Sequence, residues 1–328
     1  LWARIPPDKI DAKYQSRGTP MSTLLVTHMA CIEHDPGSFH PERPDRLKAV
    51  LAGLAESEFK GLERVQAPRA ETAQLTLCHP ADYVDEVMSS IPQEGHQHLD
   101  GDTAVSPGSG EAALRAAGAV VAAVDAVCTG KAQNAFCAVR PPGHHAEAAQ
   151  AMGFCLFNNV AVGALHARVA HGLSRVAVID FDVHHGNGTQ HMFERDPHLF
   201  YASTHQWPLY PGTGSERETG VGNIVNAPLR PHSGGLEFRD AFTKKILPAL
   251  DRFAPELVIV SAGFDAHEDD PLASLMLHED DYEWVTAALA EVAKTHAHGR
   301  IVAALEGGYD LGALAASTAA HVRALMAA

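Results

Sequence analysis

Four apolar runs in this chain break off at their carboxyl ends into short polar segments. Val139 leads into RPPGHHA, Ile179 into DFDVHHGNG, Ser261 into AGFDAHEDDP and Leu305 into EGGYDL. Strands that are apolar throughout, alternating with helical stretches, belong to a parallel sheet covered on both faces. In open α/β sheets, ligands bind outside the carboxyl ends of the strands. The pattern therefore predicts one α/β sheet whose strand ends build a single site from four distant segments.

The expected strands are Leu24–Thr27, Ala135–Val139, Val176–Ile179, Leu199–Ala202, Leu257–Ser261 and Ile301–Leu305. The expected helices are Arg43–Ala55, Pro80–Met88, Gly110–Val127, Asn159–Ala170, Leu236–Arg252, Asp281–Ala297 and Leu311–Met326. Gly110–Val127 is so rich in alanine and valine that it should be largely buried. No linker, repeat or low-complexity tract interrupts the series, so residues 21–328 read as a single domain. The first 20 residues precede Met21 and lack the apolar core and cleavage site of a signal peptide. They read as a vector-derived or upstream extension.

A formal net charge of -15 disfavours nucleic acid and anionic membranes as partners. No apolar run has the length of a membrane span. Five cysteines without a CxxC pair fit a reducing, cytoplasmic setting better than a disulfide framework. GxGxxG, P-loop, GxSxG and HExxH signatures are all missing from the sequence.

The polar segments carry the chemistry. Asp180, Asp182 and His184 alternate along one strand end and so begin on one side of it. Asp182, His184 and Asp265 offer two carboxylates and an imidazole, a hydrolytic three-ligand set that leaves a position open for water. Fe(II), Co(II) and Mn(II) also tolerate such an oxygen-rich set. Pro141, Pro142 and Gly143 would hold His144 and His145 with little freedom. Adjacent histidines suit proton transfer, one accepting a proton while the other stays charged. Asp180 and Asn187 are the candidate partners that would fix and differentiate the two rings. Tyr309, after two glycines, can offer a neutral hydroxyl to an oxyanion. Phe154 and Tyr210, in loops rich in glycine and proline, are candidate walls of a narrow channel.

Taken together, RPPGHHA, GFCLFNN, DFDVHHGNGTQ, SAGFDAHEDDP and EGGYDL resemble the zinc-dependent histone deacetylase family, over nearly all of residues 22–326. RPPGHHA and HHGNGTQ, with Asn187 where other members carry Asp, look like the class II and bacterial branch. That branch includes acetylpolyamine amidohydrolases and histone-deacetylase-like amidohydrolases. The resemblance implies the arginase–deacetylase α/β fold, with a central eight-stranded parallel sheet and helices on both faces. It implies one Zn2+ per chain on Asp182, His184 and Asp265, with Fe2+ or Co2+ acceptable to the same ligands. It makes His144 and His145 the tandem histidines, with His145 as the general base, and Tyr309 the residue that polarises the carbonyl. Gly153, Phe154 and Tyr210 fall in the substrate channel. A structural K+ would lie against Asp180, Asp182, His184, Ser203 and Thr204. A second K+ would lie near Phe193, Asp196, Leu199 and Asn223, where Asn223 departs from a frequent Tyr.

The implied reaction is hydrolysis of an acetylated lysine side chain or of a small acylated amine. Acetylpolyamines and other small amides, xenobiotics included, are the alternative substrates. Glu33, Asp35, Glu147 and Asp102 are the carboxylates that could serve a polyamine. A non-catalytic acyl-binding protein ranks lower, because Tyr309 and both histidines are present. A two-manganese ureohydrolase would need further carboxylate ligands in place of His144 and His145. A homo-oligomer is left open.

Overall fold

The computed structural model describes residues 22–328. The expected extension at residues 1–20 lies outside them. Among the described residues ten strands form, in chain order β1 (Thr23–Thr27), β2 (Glu63–Gln66), β3 (Gln97–His98), β4 (Ala104–Val105), β5 (Asn134–Ala138), β6 (Val176–Asp180), β7 (Leu199–Gln206), β8 (Ile224–Leu229), β9 (Leu257–Ala262) and β10 (Ile301–Leu305). Eight of them make one sheet in the order β2-β1-β5-β10-β9-β6-β7-β8, and β3 pairs with β4 in a separate ribbon. Every pairing in the large sheet is parallel.

Six of the eight sheet strands carry the apolar runs read from the sequence. The two edge strands do not. ERVQ of β2 is mostly exposed, and β8 carries Asn226 and Pro228. The Asn223 and Leu229 carbonyls accept N–H groups of Tyr201 and Trp207. Alternation along the strand then turns the nitrogen of Pro228 outward, where an edge strand tolerates it.

The long helices are α1 (Pro44–Gly53), α2 (Ala81–Ser89), α3 (Ser109–Cys128), α4 (Asn159–His171), α5 (Glu279–His296) and α6 (Leu311–Ala327). α3 packs on α4 and against β1, β5 and β10, while α6 packs on α1 and α5. These two groups clothe the two faces of the sheet. α3 buries most of its length, as its composition requires. The single helix expected over Leu236–Arg252 is instead Gly235–Ala241, a π-helical turn Phe242–Ile246, and Leu247–Phe253. Pro248 has no N–H to return to the carbonyl one turn back, and the ladder changes register ahead of it. A short helix over Asn187–Phe193, which the sequence reading does not include among its helices, follows directly from the HHG segment.

Candidate active site

The sheet order explains how segments 160 residues apart meet. The four strands that end in polar motifs, β5, β10, β9 and β6, are consecutive neighbours at the centre of the sheet. Parallel pairing puts all four carboxyl ends on one edge, so the motifs stand side by side.

From the end of β6 come Asp182 and His184, and from the segment after β9 comes Asp265. One ligand atom of each lies within 4.8 Å of the others. His184 Nδ1 stands 3.2 Å from Asp182 Oδ1 and 3.1 Å from Asp265 Oδ2. Main-chain amides fix the carboxylates: Gly307 N donates to Asp182 Oδ2 and Val183 N to Asp265 Oδ1. Gly307 must lack a side chain, since a Cβ there would strike both carboxylates. Both aspartates are buried, and among the described residues neither forms a salt bridge with lysine or arginine. Burial and the charge of Asp182 push the Asp265 carboxyl up to about 7. Burial opposes the charge on His184, but the two carboxylates outweigh it and push the imidazole up to about 10. Two buried carboxylates held together with one imidazole, and with no lysine or arginine paired to them among the described residues, fit a divalent metal ion.

The tandem histidines differ by their partners. His144 Nδ1 donates to Asp180 Oδ2 over 2.9 Å, and His145 Nδ1 donates to Asn187 Oδ1 over 2.8 Å. Asn187 is oriented by its own Nδ2, which donates to Glu147 and to the His145 carbonyl. Burial works against charge on both rings. For His144 the carboxylates of Asp180, Asp182 and Glu306 overcome it and hold the ring well above the usual histidine range. For His145 the neighbouring charges on His144 and His184 add to burial and hold it well below. The two rings are therefore driven in opposite directions, His144 towards the imidazolium and His145 towards the neutral base, although they are adjacent in sequence and their centroids are 4.0 Å apart.

Above these groups opens a pocket of about 200 Å³ lined by His144, His145, Gly153, Phe154, His184, Leu209, Tyr210, Leu272 and Tyr309, with Asp102 as its one carboxylate. Phe154 adopts φ 69°, a strained conformation for a bulky residue. It is held there by Thr103 Oγ1, which accepts from its N–H, while Asp102 Oδ1 accepts from Gly153 N. Tyr210 stacks edge-on against His145 and is 39% exposed at the mouth. Tyr309 packs beneath Phe154 with the Arg46 guanidinium 4.8 Å from its ring centroid. Burial keeps its phenol well above the usual tyrosine range, so it stays a donor at neutral pH.

Ser203 lies opposite Asp180 in the β6–β7 pairing, and Thr204 follows it, both buried. Among the described residues the Asp182 and His184 carbonyls accept no hydrogen bond, which leaves them free for a cation. Of the four carboxylates considered for a polyamine, only Asp102 lines the pocket. Glu33 and Asp35 line a separate depression, and Glu147 is engaged with Asn187 and His191.

Sequence reasoning missed several supports. Glu306 Oε2 accepts from Gly143 N and His144 N and so anchors the tandem-histidine loop. Tyr201 donates to Asp180 Oδ2 and accepts from Gly186 N. Asp270 holds the Tyr309 main chain. Glu42 pairs with Arg46 and Arg140 in a fully buried cluster, and Arg46 also reaches the Glu306 and Gly308 carbonyls. Glu306 and Asp270 stood inside the quoted motifs and could have been found there. Tyr201 lies within an apolar strand and gave no signal.

A central parallel sheet with a carboxylate–imidazole metal group, paired histidines and a tyrosine at its strand ends defines a hydrolase of the deacetylase class. The Histone deacetylase domain matches residues 40–325. A histone deacetylase-like amidohydrolase of Pseudomonas aeruginosa is 42% identical over 82% of this chain and 72% of its own length. The human polyamine deacetylase HDAC10 is 40% identical over 93% of this chain and 48% of its own. The crystal structure of the HDA15 HD domain superposes with a TM-score of 0.89 at 36% identity, covering 93% of this chain and 88% of that one. The chain spans only 21% of type-2 histone deacetylase 2 of Dictyostelium discoideum, which is 35% identical. The chain belongs to the histone deacetylase family, enzymes that hydrolyse amide bonds and depend on a metal. No helix among the described residues is long and apolar enough to cross a membrane.

Proposed function

We propose that the protein removes acetyl and related acyl groups from lysine-like amines. The observation that carries this reading is the lining of the pocket. An acyl-lysine presents a neutral alkyl arm to the channel, and Phe154, Leu209, Tyr210 and Leu272 provide matching apolar walls. A polyamine arm would bring ammonium groups into the same channel, where Asp102 is the one carboxylate. The polyamine reading is kept because of that Asp102 and the 40% identity to a polyamine deacetylase.

Asp182, His184 and Asp265 would hold the metal ion, and zinc suits a hydrolytic site of this composition. A bound divalent cation would polarise the acyl carbonyl and make a water more acidic. His145, neutral and with Nε2 unprotonated, takes a proton from the attacking water. Tyr309 donates to the developing oxyanion. His144, held charged by Asp180, stabilises the negative charge that builds beside it, and a histidine then protonates the departing amine. A potassium ion on the Asp182 and His184 carbonyls, beside Ser203 and Thr204, would brace the strand end. Five free cysteines support a reducing, cytoplasmic location.

The test is a substrate panel of acetyl-lysine peptides, acetylputrescine, acetylspermidine and simple acetanilides. Acetyl-lysine peptides should give the highest kcat/KM. Turnover restricted to acetylpolyamines would replace this reading by the second one.

A further inference from the structure

The turn between the Asn187–Phe193 helix and β7 folds around one atom. The main-chain carbonyls of Phe193, Asp196 and Leu199 converge on Asn223 Nδ2 at 2.9, 3.0 and 2.7 Å. Asn223 is buried, with 5% of its surface exposed. Its orientation is fixed from the other side, because Asn223 Oδ1 accepts from Val221 N over 3.1 Å. Turning the amide over would lose that bond and set an oxygen against three carbonyl oxygens. An amide has two hydrogens for these three acceptors. The arrangement is more acceptor-rich than a side-chain amide requires.

Three inward-facing carbonyls around one point are a cation's environment. Their distances to the centre exceed the 2.3–2.6 Å of calcium–oxygen contacts. The three converging atoms are neutral carbonyl dipoles, and the Asp196 carboxylate is turned away to Arg168 and His198 N. This chemistry suits a weakly hydrated monovalent ion. The residues do not leave room for one, since the amide nitrogen already stands at the centre.

We infer that Asn223 is a built-in substitute for a monovalent cation: its side-chain amide ties the turn 193–199 to β8 permanently, and the protein binds no ion there. The turn joins two elements that serve the pocket. Its helix begins with Asn187, the partner of His145, and β7 carries Tyr201, the partner of Asp180. The crosslink therefore keeps these two supports in place at any potassium concentration.

Crystals of the wild-type protein soaked in thallous acetate test this directly. No anomalous peak should lie among the Phe193, Asp196 and Leu199 carbonyls, whatever is found beside Ser203. A peak at the three carbonyls would overturn the inference, and an absent peak beside Ser203 would count only against the separate potassium reading above. Asn223→Ala supplies the second arm. With the amide removed, the carbonyls should accept an ion, so that the variant's Tm rises with KCl by about 4 °C more than the wild type's at a hundredfold excess over Kd. A KCl response in Asn223→Ala equal to that of the wild type would also overturn it. Should the variant fail to fold, the wild-type crystal alone decides.

Discussion

His144 Nδ1 donates to Asp180 Oδ2 over 2.9 Å, with both side chains buried. The Asp180 carboxylate is the main reason that His144 stays charged against the penalty of its burial. A raised pKa means that the charged form is present below that pKa and is lost as pH rises through it. Asp180→Asn removes the stabilising charge, so the alkaline limb of the kcat/KM profile should move to lower pH by about 1–3 pH units. A limb that stays in place would exclude His144 as the group behind it.

The contrasting pair makes the opposite prediction. His145 faces the neutral Asn187 and is held well below the usual histidine range, so it remains an available base into mildly acid solution. Asn187→Asp adds a negative charge that favours the imidazolium. The base is then lost at a higher pH, and the acid limb should rise by about 1–3 pH units. Kinetics measured across about pH 4–9, roughly two and a half units either side of the reference histidine value, would show it.

Tyr309→Phe deletes one hydroxyl and leaves the ring on Phe154 and Arg46. Turnover should fall by about 10²–10³ with metal content unchanged. Elemental analysis of the same sample separates loss of the donor from loss of the ion. Full activity in this variant would remove Tyr309 from the chemistry.

Asp265→Ala leaves Asp182 and His184 without their third partner. Metal content should drop well below one ion per chain, and activity with it. Chelator treatment of the wild type should lower its Tm, because binding to the folded state alone adds stability.

Glu42 is the counter-charge of two buried guanidiniums, Arg46 and Arg140. Glu42→Ala strands both, and stability should fall by about 3–5 kcal/mol in urea unfolding. Arg46 underlies Tyr309, so activity should be lost along with stability.

The centre of the fold was legible because buried parallel strands have no polar face to confuse the pattern. Val176–Ile179 and Ile301–Leu305 read as strands on composition alone. The edges were not legible: β2 is mostly exposed and charged, and β8 contains a proline, so each resembles a loop. At the site, the residues that face the pocket stood in glycine-bounded motifs at strand ends, where a histidine or aspartate has no structural reason to be. The residues that hold them were harder to find. Tyr201 sits in an apolar run, and Glu42 and Arg46 come from a segment about a hundred residues before the loop they brace. The role inferred for the Asn223 amide also needed the structure: the sequence marks Asn223 only as a departure from a frequent Tyr, and the carbonyls around its Nδ2 had to be located.

Pro228 closes the β8 border with a nitrogen that bears no hydrogen. A second chain laying its own strand along that border would find a missing rung in the ladder and a rigid ring in the way. Self-association by sheet extension is thereby discouraged on this flank.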